Sequence, residues 1–267
     1  MALKEKVTNR YAAMIEKIFF SKYSAGDEEV SFEREDLAKA GKTLKITLPK
    51  NLGDIIYSIR YRTPMPATIA ETQPKGKEWV IEGRGRSLYC FRLVTENRIV
   101  PNNQLTEIKI PDSTPEIVTS YALSDEQALL AKVRYNRLLD VFLGLATYSL
   151  QNHLRTTVQG LGQVEIDEIY VGIDKRGCQF VLPVQAKGGK DQLSAVQTKQ
   201  DIACCEEKFP DLICRSISAQ FISADLIALF ELALEEGMAK IVEEKHYRLV
   251  PADQIKPEDL KRYSGSR

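Results

Sequence analysis

The stretch Gln163–Gln200, QVEIDEIYVGIDKRGCQFVLPVQAKGGKDQLSAVQTKQ, constrains this chain more than any other. Two β-rich runs flank the tight turn Asp174-Lys175-Arg176-Gly177. Gly188-Gly189 then separates the second run from an amphipathic helix over Asp191–Lys208, with Leu193, Val196, Ile202 and Ala203 expected inside. Side chains alternate across a strand, so Glu165 and Asp167 share one face of the first run. Gln185 and Lys187 share a face of the second, away from Val184 and Ala186. If the two runs are neighbours, an acid, an amide oxygen and an ammonium converge. Phe180–Ala186 is apolar enough for a central strand covered on both sides. A lysine at its end is costly without a partner or a task.

The segments around this one predict a mixed sheet with helices on its faces. Ser124-Asp125-Glu126-Gln127 is a capping-box pattern. It opens a long helix expected to reach about Leu154, with Leu129, Leu130, Val133, Leu138, Leu139, Phe142, Leu143 and Leu145 as a broad apolar face. Asp140 sits within that face and is read as an edge residue bonded to a neighbour. Gly160-Leu161-Gly162 breaks the chain before the first β-run. Leu212–Phe221 reads as a strand, and strand–helix–strand implies a right-handed parallel crossover. Ile222–Val250 fits either a helix or a hairpin turning near Glu235-Glu236-Gly237, with strand-like alternation in Ile241–Leu249.

The first third has a different character. Residues 4–22 place Val7, Tyr11, Met14, Ile15, Ile18 and Phe19 at helical spacing. A second helix is expected over Phe32–Ala40, with Ser31 as its N-cap and Gly41 after it. A short strand follows at Lys45–Leu48. A third helix, Asn51–Tyr61, carries the stripe Leu52, Ile55, Ile56 and Ile59 and stops before Pro64 and Pro66. Glu78–Val94 is a hairpin signal around Gly83-Arg84-Gly85-Arg86. Between Lys42 and Arg62 lie five basic residues and one acid, in a chain whose 37 basic and 37 acidic residues cancel overall. Positive charge is therefore local, as on a surface that meets a polyanion. The order of three helices and a hairpin resembles the winged helix-turn-helix class. That resemblance implies a recognition helix over Asn51–Arg62 and a wing tip at Arg84 and Arg86. Residues 96–124, rich in proline and turn formers, read as a linker with a β-like run at Leu105–Ile110. The expected domains are 1–95 and 125–267.

Composition excludes several classes. The five cysteines form no CxxC pair and are odd in number, which argues against a disulfide framework or a zinc site. No Walker-type glycine loop appears, so no nucleotide cofactor is expected. Neither His153 nor His246 belongs to a nucleophile constellation. The start lacks the apolar run of a signal peptide. Leu138–Leu150 is too short to span a bilayer. A soluble, cytoplasmic protein with no membrane partner is expected.

The segment over residues 125–222 resembles the PD-(D/E)XK nuclease superfamily, which includes restriction endonucleases and Mrr-like enzymes. VEIDEIYVGID carries the first acid, Asp167, and VLPVQAKGG places Gln185-Ala186-Lys187 where Glu-X-Lys is usual. Gln192, Gln197 and Gln200 are similar to glutamines that some members carry after the lysine. The resemblance implies an α/β (α+β) fold, with a mixed central sheet flanked by helices in a restriction-endonuclease-like arrangement after the winged-helix-like domain. It implies Mg²⁺ held by Asp167, the Gln185 amide oxygen and the Ala186 carbonyl, with Lys187 acting on the attacking water. Gln185 lacks the charge of glutamate. Glu165 is the expected compensating acid, and Glu168, on the opposite face, the second choice. Expected DNA contacts are Lys50, Asn51, Arg60, Arg62, Arg84, Arg86, Lys190 and Gln197. The expected function is a Mg²⁺-dependent DNA endonuclease, a type II restriction enzyme acting on double-stranded DNA as a homodimer. An Mrr-like or structure-specific nuclease, an inactive DNA-binding protein and a winged-helix regulator with a ligand-sensing second domain are the alternatives.

Overall fold

A computed structural model describes residues 2–61, 63–95, 98–121, 125–188, 193–235 and 238–264. The chain divides into two compact units. The first is residues 1–96 with 157–163, and the second is 97–156 with 164–267.

In the first unit, α1 (Ala2–Phe20) buries Met14, Ile15, Ile18 and Phe19 along one stripe. Next comes β1 (Glu29–Glu33), whose residues alternate exposed and buried, with Val30 and Phe32 inside. Period-two burial and antiparallel pairing with the strand segment Leu88 to Arg92 overrule the helix expected to start at Phe32. The helix α2 (Arg34–Thr43) starts two residues later. Glu33 and Asp36 form its capping box, and the Glu33 N–H donates to the Asp36 carboxylate at 2.9 Å. Lys45, with φ 55°, turns the chain after α2, and no strand forms at Lys45–Leu48. The stripe Ile55, Ile56 and Ile59 buries α3 (Gly53–Tyr61), and a single turn, α4 (Ala67–Ala70), follows. The hairpin of β2 (Lys77–Gly83) and β3 (Leu88–Thr95) completes an antiparallel sheet in the order β1-β3-β2. Aromatic edges lock its core. Phe19 meets Trp79 and Phe91 edge-on, with ring centroids 5.1 Å apart in each case.

The second unit is a mixed α+β fold, with a central sheet flanked by helices. Its elements begin with β4 (Arg98–Ile99), β5 (Glu107–Pro111) and α5 (Glu116–Tyr121). Residues expected as a linker are thus built into this unit. β5 pairs in parallel with the last strand, and Ile108 and Ile110 pack against the core. Then come α6 (Asp125–Tyr135), α7 (Leu138–Leu143), β6 (Ala146–Val158), β7 (Gly162–Ile173) and β8 (Gln179–Lys187). After β9 (Leu193–Ser194) and α8 (Ala195–Lys208), the chain forms β10 (Ile213–Cys214), β11 (Ser216–Phe221), β12 (Leu226–Glu235), β13 (Met238–Val250) and α9 (Pro257–Ser264). The main sheet runs β5-β13-β12-β11-β8-β7-β6, with β10 also on β8. β8 and β11 are parallel, as the crossover through α8 requires. β7/β8, β11/β12 and β12/β13 are antiparallel.

The expected long helix is corrected. Gly144, at φ 66°, closes α7, and the β-branched and aromatic residues beyond it form β6. Asp140 bonds to Arg137 and to the Thr147 hydroxyl, and it takes the Thr147 N–H at 2.9 Å, pinning α7 to β6. The Ser124 end of the expected capping box lies outside the described residues. The Ile222–Val250 ambiguity resolves as the β12–β13 hairpin. On one face of the sheet, α6 and α7 bury Leu129, Val133, Leu138 and Leu139 against Leu182, Val184, Ile217, Ile227 and Leu229. α8 lies against the other face. No helix among the described residues is long and apolar enough to cross a membrane.

Candidate active site

The site is built where β7 and β8 part. Their ladder is regular from Ile173/Gln179 to Glu168/Val184. Beyond that pair the Asp167 carboxylate takes over, accepting the Ala186 N–H at 2.9 Å. An ionisable side chain thus does what a strand carbonyl does elsewhere, and the end of β8 is held open. The Gln185 amide bridges the same gap, donating weakly to the Glu165 carbonyl at 3.4 Å.

Beneath this opening lies α8, whose inward face differs from the expected one. Gln197, Thr198, Gln200, Asp201, Cys204 and Cys205 are buried, whereas Val196, Ile202 and Ala203 are only partly buried. Leu193, expected on the same helix, belongs to β9. The helix turns its polar side to the sheet because Gln185 faces it. Gln197 donates to the Gln185 amide oxygen at 2.5 Å. The Gln185 nitrogen donates to Asp201 Oδ1 at 3.0 Å. Asp201 is 0% exposed, and its Oδ2 has no hydrogen-bond partner. Burial pushes its carboxyl well above the usual carboxylate range. The Gln185 bond opposes that rise, and nearby Asp167 adds to it. Burial also raises Asp167, offset by the Lys187 ammonium, the Ala186 N–H and His153, with Glu165 adding to the rise. Two raised carboxyl groups, with one lysine lowering both, form a site suited to a cation or to proton transfer.

Lys187 is 8% exposed, and its ammonium lies 3.7 Å from Glu126 on α6. Glu126 was not among the expected site residues. It is the acid that makes a nearly buried lysine tolerable on this strand.

Glu165 lies on Asp167's face, near enough to raise its carboxyl, as expected, but it is also engaged elsewhere. Its carboxylate is held by Arg155 of β6 at 3.1 Å, with the His153 ring at 3.9 Å. The acid bonded to the Gln185 side chain is Asp201. Glu168 lies on the opposite face, as alternation predicts, and is fully buried. Its Oε1 accepts from Arg134 at 2.7 Å and 3.1 Å and from Ser149 at 2.6 Å. The Gln185 oxygen, expected as a metal ligand, is committed to Gln197. Sequence spacing missed Asp201 because α8 was oriented by its apolar residues. The usable signal was polar: Gln197, Asp201 and Cys205 recur every fourth residue on one face.

The expected DNA contacts separate into groups. Lys50 and Arg86 are exposed. Asn51 is engaged in capping α3. Its Oδ1 accepts the Gly53 N–H at 3.1 Å and Arg34 at 3.3 Å, and its amide donates to Asp54 at 2.9 Å. Arg84 is neutralised by Glu29 at 2.7 Å, which also holds Arg92. Arg60 is folded inward, with its Nε and Nη2 buried and lacking hydrogen-bond partners. Gln197 is buried beneath the sheet. Arg62, Lys190 and Gln192 lie outside the described residues.

Among the described residues, no three His, Cys, Asp or Glu side chains gather closely enough to hold a metal ion. Comparison of the chain with models of protein families, with curated proteins and with solved structures finds no match.

Proposed function

We propose that the chain is a Mg²⁺-dependent DNA endonuclease of the PD-(D/E)XK type, with an N-terminal winged-helix-like DNA-binding domain. One observation carries this reading. Asp167, Lys187 and the fully buried, incompletely bonded Asp201 converge around Gln185 at the parted end of β7 and β8. The order α1-β1-α2-α3-α4-β2-β3 of the first unit, helices followed by a hairpin, supports the winged-helix part.

The residues suit a magnesium ion. Mg²⁺ takes one or two carboxylates and keeps its remaining sites for water and substrate, so three protein acids are not required. Asp167 and Asp201 would hold it, with the Ala186 carbonyl as a third donor. The missing glutamate on β8 is thereby replaced by an acid from α8, and the Asp201 Oδ2, otherwise unbonded, gains a partner. When bound, the ion supplies charge neutralisation on a phosphate and a more acidic water. Lys187 orients a water through its ammonium and offsets charge that develops on phosphate oxygens. Glu126, 3.7 Å away, keeps that ammonium aimed. Gln185 holds Asp201 and the Glu165 backbone in register.

A type II restriction enzyme is the preferred member of the class. One site per chain and two strands to cut make a two-fold homodimer on double-stranded DNA the simplest assembly. The deciding experiment is supercoiled plasmid incubated with Mg²⁺ and either wild type, Asp167→Ala, Lys187→Ala or Asp201→Asn. Wild type should nick or linearise the plasmid, and each variant should lose at least about a hundredfold in rate. Intact plasmid with wild type across divalent ions and varied DNA would sink the enzyme reading. An inactive DNA-binding protein would then be the better description.

A further inference from the structure

The edge strand β6 changes the face of its side chains partway along. Ser149 reaches the Glu168 carboxylate at 2.6 Å, so it points to the α6 face. Strict alternation would put residues 153 and 155, four and six positions on, on that same face. They are on the other one, where both meet Glu165, the neighbour of Asp167 on its face of β7. The change of phase falls between Ser149 and Asn152. Asn152 still accepts from Arg134 at 3.0 Å on the Glu168 side, although it is an odd number of residues from Ser149. His153 then sits in the left-handed region at φ 49°. A non-glycine residue is strained there, and such re-phasing of a strand is a way of re-aiming side chains beside a site.

Two groups that could meet an anion are delivered by it. The Arg155 side chain is 65% exposed and the His153 side chain 61%, while Glu165, which accepts from Arg155 and lies 3.9 Å from the His153 ring, is 18% exposed. An inner acid with an outer arginine and histidine is the reverse of what a metal site needs from Glu165. It suits a pair of donors anchored by one acid and presented to solvent.

Resting on the nuclease reading above, we propose that Arg155 and His153 bind a DNA backbone phosphate beside the scissile one, with Glu165 as the acid that positions them. Arg155 offers planar paired donors suited to phosphate oxygens. His153 adds one further N–H. β6 is the last strand of the sheet on the β7 side, so a duplex entering at Asp167 has access to this edge without displacing another strand.

The test is binding, and it needs no cleavage. The full chain in EDTA is titrated against a fluorescein-labelled duplex by anisotropy over a series of KCl concentrations. Arg155→Ala should flatten the plot of log K against log salt by about 0.9, the weight of one phosphate contact. Arg155→Lys keeps the charge and should restore the slope. His153→Ala should weaken binding about fivefold, the weight of one hydrogen bond. Both side chains are exposed, and circular dichroism checks that the variants fold. Wild-type slope and affinity in Arg155→Ala and His153→Ala would overturn the proposal, even if plasmid cleavage is observed. A flattened slope together with an uncut plasmid would uphold the phosphate pair and remove the nuclease reading. A wild-type chain that binds no duplex removes both.

Discussion

Two fully buried acids lie on opposite faces of the β7–β8 pair, in opposite circumstances. On one side, Glu168 reaches a guanidinium, with Arg134 approaching Oε1 through two nitrogens and Ser149 adding a third donor. On the other, Asp201 of α8 receives one amide N–H and no guanidinium; each acid keeps one oxygen without a hydrogen-bond partner, Oε2 of Glu168 and Oδ2 of Asp201. Both are 0% exposed. A carboxylate buried against a cation ties helix to sheet. One buried beside a second acid, Asp167, raises the free energy of the folded state unless it keeps its proton or meets a cation. The first acid is in contact with a guanidinium, and the second with an amide.

Breaking the ion-paired side should cost the most. Arg134→Ala strands the Glu168 charge beneath α6 and should lower stability by about 3–5 kcal/mol, read by urea unfolding. Glu168→Gln should cost much less, because the Arg134 side chain is 38% exposed and can turn to water. Equal losses in the two variants would mean that the pair acts through packing and not through charge.

The side without an ion pair should respond in the opposite sense. Asp201 has a folded-state pKa above its unfolded one. The folded chain then holds the proton longer as pH rises, so its stability falls from the ordinary carboxyl range, about pH 4, up to the raised value. Asp201→Asn cannot ionise. In EDTA it should melt higher than wild type at neutral pH, with the gap closing toward about pH 4. Wild type should recover the difference when Mg²⁺ is added, and the variant should not. A variant less stable than wild type at every pH would show that the acid is structural.

The same contrast explains what could be read from the chain. The β7–turn–β8–glycine–helix order was legible because alternation, the Asp174-Gly177 turn and the paired glycines act over a few residues. The turn is held by Asp174, which accepts the Arg176 and Cys178 N–H groups at 2.8 Å and 2.9 Å. β6 was not legible, because apolar residues at helical spacing run unbroken through α6 and α7 and only Gly144 announces the change. Asp201 was hidden for a non-local reason. Its role comes from Gln185, sixteen residues away, and from a helix that hides its polar side. Glu165 was placed on the right face, but its partners come from a strand whose phase shift no period-two reading anticipates.

A smaller version of this contrast lies in the first unit, between Asn51 as a base reader and Asn51 as a cap. Its Oδ1 accepts the Gly53 N–H at the start of α3, and its amide is engaged by Asp54. Capping accounts for this geometry without a ligand. Asn51→Ala should therefore lower stability by about 1 kcal/mol, while Asn51→Ser, also a good cap, should recover most of it. DNA affinity should follow stability in both variants. Base reading by an asparagine uses both ends of the amide, and serine cannot reproduce that pair. If Asn51→Ser folds as wild type yet loses sequence preference in a binding-site selection, the side chain must leave its cap on the duplex. Lys50 and Arg86, both exposed, would then share the duplex surface with it.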